Sequence, residues 1–220
     1  MIEKDRKIPE GKISPTDKTG HAPSLSRDSV FIAIFGALWG LVEITLGVFI
    51  KGMRLPMGGA MLVAISSIIF LTGRYFIRRR GSILMMGAIA AILKVFSIGT
   101  VIAGPFVAIL IESFIAEISI SLLGIHRFSY VLTVCLLTLY TIIHPFIAQG
   151  IIFGENIYKI YLEIFQKIAG LLHIDIHYIG WIILCYAFIH LMLGAFAGWF
   201  AYTLSVRVNR ELTQQLKDKK

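Results

Sequence analysis

The feature that most constrains this chain is a succession of apolar blocks, each close to the roughly 20 residues that carry a helix across a hydrocarbon core, with clusters of Lys and Arg between them. The blocks cover residues 30–50, 56–73, 82–98, 105–124, 128–148 and 178–205; small residues extend the third to 104, and the last has length to spare for tilt. Such blocks do not suit a soluble domain. Hydrophobic residues make up 57% of the chain and charged ones 15%, whereas soluble proteins carry about a quarter charged residues. The spacing predicts an all-α polytopic membrane protein with six transmembrane helices. Residues 1–29 have no apolar period and no signal-peptide core, and are expected to form a flexible tail; 30–205 make the transmembrane domain and 206–220 a basic tail. Cys135 and Cys185 both fall inside apolar blocks, where a thiol acts as a small hydrophobe, so no disulfide framework is expected.

The distribution of basic residues sets an orientation. With six spans, one side holds the N-tail, residues 74–81, residues 125–127 and the C-tail, with 16 Lys or Arg, against four on the other side. The positive-inside rule then places both termini in the cytoplasm of a cell-membrane protein. The net charge of +8 reads as topology, with no nucleic-acid partner implied. Tyr178 and Trp181 near one end of the last span, and Trp199 and Tyr202 near the other, suit an aromatic belt at the two interfaces. On the outer side, residues 149–177 are too long for a tight turn. Apolar residues from Ile157 to Leu172 recur there at helical spacing, with Lys159, Glu163, Gln166 and Lys167 mostly off the stripe, which predicts an amphipathic surface helix over about 155–173, as a connector or a lid.

Ionisable groups inside the spans are the candidates for function. A charged residue at mid-bilayer costs about 2.5–3.5 kcal/mol on insertion scales, several times what one Leu or Ile returns. Glu112 and Glu117 together would make the fourth span only marginally insertable, so both must be protonated, paired, or turned toward other helices or water. Glu43, Lys94, Glu112 and His144 fall on the outer side of their span centres, His190 near the middle and Glu117 in the inner half. At about 100° per residue, Lys94 shares a face with Gly87 and Ala91, Glu112 with Ala108 and Ala116, and His190 with Gly194, Ala197 and Ala201, while Glu117 lies on a separate stripe with Ser113 and Ser121. Lys94 and Glu112, in neighbouring spans at similar depth, form the expected ion pair. In the first span Ala33, Gly36, Ala37, Gly40 and Ile44 form a small-residue stripe. Trp39, one turn from Glu43, either stacks on a planar solute or fills the core. Trp39, Glu43, Lys94, Glu112 and His144 are therefore the candidate lining of an outward-facing pocket.

The sequence has no G-x-x-x-x-G-K-[ST], H-E-x-x-H or G-x-S-x-G motif, so an ATPase, zincin or esterase is not expected, and neither a resident cofactor nor a metal is implied. Over about 175 residues, the six spans with both termini inside and the pair Ala33-x-x-x-Ala37 resemble a substrate-binding S-component of energy-coupling factor (ECF) vitamin transporters. The resemblance implies a non-enzymatic subunit that captures a vitamin or related micronutrient for ATP-driven uptake. Its partners would be a transmembrane coupling subunit, contacted by Ala33 and Ala37, and separate ATPase subunits. Two other classes remain: a stand-alone ion-coupled carrier using Glu112 or Glu117, and an integral membrane enzyme acting on a lipid or isoprenoid.

Overall fold

In the computed structural model successive helices run antiparallel, and so the six helices of the described residues gather their ends into two layers. The structure describes residues 27–53, 57–96, 103–154 and 176–218, together with Lys159, Glu163 and Gly170. Among these residues the secondary structure is entirely helical: α1 Arg27–Gly52, α2 Gly58–Phe76, α3 Ser82–Val95, α4 Ala103–Leu123, α5 Arg127–Phe153 and α6 Ile176–Asp218. The expected surface helix at 155–173 lies outside the described residues apart from Lys159, Glu163 and Gly170, which are helical and exposed.

Among the described residues, five stretches are long and apolar enough to cross a membrane: Arg27–Ile50, Gly58–Phe76, Gly104–Leu123, Arg127–Ile147 and Gly180–Gln215. The third block differs from expectation. Its helix has 14 described residues, about 21 Å of rise against a hydrocarbon core of about 30 Å. The last block also differs, because α6 runs unbroken through 43 residues and takes the basic segment 206–218 with it. Trp181 and Trp199 on α6 are exposed and about 27 Å apart along the helix, a spacing suited to the two interfaces. Tyr202 turns inward, its ring edge-on to Tyr130 and Tyr75.

The bundle closes around α2, the most enclosed of the five long helices, which packs against α1, α3, α5 and α6; further pairs are α1 with α3, α3 with α4, α4 with α5, and α5 with α6. Two seams need small residues. On α6, a methyl group at Gly194 or Gly198 would come within 2.6–2.9 Å of atoms of Val134, Cys135, Thr138, Tyr130 and Val131, so the helices touch backbone to backbone. On α1, Gly36 and Gly40 press in the same way on Met86, Ile89, Ala90 and Leu93 of α3. The expected stripe on α1 therefore splits. Gly36 and Gly40 are buried against α3, while Ala33 and Ala37 are exposed on the opposite side with Ile34, Leu38 and Leu41.

The N-termini of α1, α3 and α5 and the C-termini of α2, α4 and α6 share one end, marked by Arg74, Arg78, Arg79, Arg80, Arg127 and Arg207 and called here the basic end. There Phe31 stacks near Phe76, and the Arg127 guanidinium lies 5.7 Å above the Tyr202 ring. The Tyr130 hydroxyl donates to the Leu71 carbonyl at 2.8 Å, tying α5 to α2.

Candidate functional site

Buried ionisable side chains collect at two levels. Toward the basic end, Glu117 on α4 faces the start of α3. Its carboxylate accepts the amide N–H of Gly81 at 2.7 Å and of Ile83 at 2.9 Å, and the Ser121 hydroxyl at 2.7 Å, with Arg74 at 4.0 Å. Gly81 has φ +84°, the left-handed region that favours glycine, and in this geometry its N–H meets the carboxylate. Glu117 thus caps α3 from a neighbouring helix, supplying acceptors for donors that a helix start leaves over. Arg74 in turn donates to the Ile77 carbonyl at 2.7 Å. Among the described residues every contact of Glu117 is with the protein's own framework, which gives this carboxylate a structural role. His190 is also engaged within the fold. Its Nδ1 lies 2.9 Å from the Tyr186 carbonyl one turn back, and its ring packs on Tyr186.

The second level lies in the half of the bundle away from the basic end. Lys94 enters a groove opened by Gly47, where a methyl group would come within 2.8 Å of its Nζ. The ammonium donates to the backbone carbonyl of Glu43 and lies 3.6 Å from the Glu43 carboxylate, which also accepts the Ser66 hydroxyl at 3.1 Å. The ion pair is therefore Lys94 with Glu43, where Glu112 was the expected partner. The reason is the close α1–α3 seam, which brings Lys94 to α1, a neighbour in space that sequence order does not reveal. Glu112 on α4 is 6% exposed and makes no hydrogen bond or ion pair with another described residue. It lies within electrostatic reach of Glu43 on one side and of Tyr140 on the other. The Tyr140 hydroxyl and His144 Nδ1 share a hydrogen bond at 2.6 Å, and the His144 imidazole interacts with the backbone of Gly104 at the start of α4.

Of the five residues singled out in the sequence, four thus join one polar network. It runs from Ser66 and Lys94, both on Glu43, across to Glu112 and on to Tyr140 and His144, drawing on α1 to α5. Burial is graded along it: Glu43, Lys94 and Glu112 are buried, while Tyr140 and His144 are half-buried. Trp39, the fifth, is fully buried, its ring 4.6 Å from that of Phe70 and close to Gly87. Its indole N–H acts on Glu43 but reaches no partner at hydrogen-bonding geometry. Trp39 therefore packs as the floor beneath the network. The residues sequence reasoning missed are Ser66 and Tyr140. Tyr140 carried a readable signal, lying one turn before His144 on the same helical face.

The one ion pair of the network, Lys94 with Glu43, leaves the buried Glu112 carboxyl without a described cation beside it. That leaves hydrogen-bonding and charge capacity which the described residues do not fill, and unfilled polar capacity in a buried place calls for an occupant or a role. Among the described residues, no three His, Cys, Asp or Glu side chains gather as a metal ion would need. The described residues are all-helical, with five helices long and apolar enough to cross a membrane. The chain matches no family model, no curated protein and no solved structure.

Proposed function

We propose that this chain is the solute-binding subunit of a multi-component uptake system, capturing a vitamin or related micronutrient that separate ATP-driven subunits then move inward. The observation that carries the reading is the convergence of Glu43, Lys94, Glu112, Tyr140 and His144 from four different helices at one level of the bundle, within the half opposite the basic end. By the positive-inside rule the basic end is cytoplasmic, so the network lies in the outer half, on the side from which a nutrient arrives. Six spans in a cell membrane with both termini inside complete this reading. The exposed faces of Ala33 and Ala37 lie in the other half of α1, toward the cytoplasm, where a coupling subunit would dock. Small side chains on a lipid-facing surface permit such close helix contact.

The test separates the two faces. Ala37→Trp is expected to leave solute binding intact and abolish transport in cells carrying the coupling subunits, while Glu112→Ala weakens binding itself. Native mass spectrometry of the purified protein would identify a co-purifying small molecule. Equal loss of binding in both variants, or uptake that needs no further subunit, would sink the proposal.

The condition of Glu112 favours a second reading, a stand-alone carrier. A buried carboxyl that no described cation neutralises is suited to taking up a proton with each transported solute. Uptake by the single purified chain in liposomes under an imposed proton gradient, abolished in Glu112→Gln, would establish that alternative.

A further inference from the structure

At the basic end, outside the network, a cleft of about 630 Å³ opens between the start of α5 and the last turns of α6, lined by Arg127, Tyr202, Thr203, Arg207, Arg210 and Gln214 with Val206 and Glu211. Residues 203, 207, 210 and 214 follow one another at three- and four-residue steps, so they share the face of α6 turned to α5. Three guanidiniums against one carboxylate give the lining a charge of +2. Arg127 is held in place: its guanidinium stacks over Tyr202, and that ring is fixed by edge contacts with Tyr130 and Tyr75. Such preorganisation lowers the entropy lost when an anion binds. The first amides of α5 are already engaged by His126, whose side chain accepts from Ser129 and whose carbonyl accepts from Tyr130. Recognition thus falls to the guanidiniums and the nearby Gln214 amide, whose N–H donors match phosphate oxygens, the Thr203 hydroxyl being donated to the Trp199 carbonyl.

We propose that this cleft binds a phosphate group, the shared chemistry of an acidic lipid headgroup and of a free phosphate ester. Its depth suits the lipid. Tyr202 and Thr203 follow Trp199 by about one helical turn, at headgroup depth just beyond the hydrocarbon boundary that an exposed tryptophan marks, and Arg207 lies about one turn further out, its long side chain able to reach back. Val206 adds an apolar contact to the lining.

The experiment measures thermal stabilisation and lipid retention of the purified full chain in neutral detergent. It is given phosphatidylglycerol, phosphatidylcholine or inorganic phosphate in turn. Phosphatidylglycerol is expected to raise Tm and to stay bound in native mass spectra while phosphatidylcholine does neither. A rise with inorganic phosphate as well would name a free phosphate as a second source of the same ligand. Arg207→Gln with Arg210→Gln is expected to weaken retention about 30-fold, from about 5-fold per basic residue near an anionic surface. The control is Arg78→Gln with Arg79→Gln, which removes the same charge from an exposed connection outside the cleft and should leave retention unchanged. Equal loss in both double variants, or no response to either phosphate source, overturns the proposal.

Discussion

Glu112 and Glu117 sit on the same helix, five positions apart, and are similarly buried at 6% and 8% exposure, yet their surroundings share little. Glu117 is saturated by two backbone amides and a hydroxyl, with an arginine nearby, and so serves the fold. Glu112 faces the network of Glu43, Lys94, Tyr140 and His144 and makes no hydrogen bond or ion pair with a described residue. The contrast teaches that an intramembrane carboxylate is not a functional mark by itself. What distinguishes the two is whether the fold already fills their acceptor capacity.

The largest expected effect tests the saturated side. Glu117→Ala strips the start of α3 of its acceptors and leaves Arg74 buried without its carboxylate. It should cost about 3–5 kcal/mol, read as a fall in Tm in detergent, while the folded fraction keeps its affinity for solute. A small Tm change would dissolve the contrast from that end. Glu112→Ala tests the open side. Stability should change little, while affinity for the solute falls about 10- to 100-fold, the loss of a hydrogen bond to a charged group. Titration calorimetry with the co-purified molecule would check this. If Glu112→Ala instead destabilises as much as Glu117→Ala, both carboxyls are structural. Tyr140→Phe sharpens the picture at its rim, removing one hydrogen bond to His144 for about 1 kcal/mol, an effect expected on binding more than on Tm. Smallest of all is Ala37→Trp, at an exposed position on α1, where surface substitutions stay within about 0.5 kcal/mol. Its expected signature is unchanged Tm with lost transport.

Much of the fold was legible because apolar length and basic punctuation are properties of the chain alone. The blocks at 30–50, 56–73, 105–124, 128–148 and 178–205 reappear as long apolar helices, with ends shifted by a few residues and α6 extended to Asp218. The site was half legible. Depth along a helix is countable from sequence, so Glu43, Lys94, Glu112 and His144 could be placed at one level before any helix was packed. Which of them touch was not countable. Lys94 was matched with Glu112 by order of spans, but the Gly36 and Gly40 seam draws α3 onto α1 and gives the lysine to Glu43. The same seam divides the small residues of α1, turning the glycines inward and leaving Ala33 and Ala37 outside.

The amino-acid order by itself determined that this protein is built of apolar helices, which of their ends carry the basic charge, and at what depth each ionisable residue lies. These follow from transfer free energy and helical rise, which act residue by residue. Only the tertiary structure decided that Glu117 caps a helix, that Trp39 lies under the network and that Tyr140 belongs to it. Those outcomes depend on rotation of each helix about its axis and on which neighbours it meets. Both are set by the close fit of small residues such as Gly40, Gly87 and Gly194 between helices, far apart in the chain.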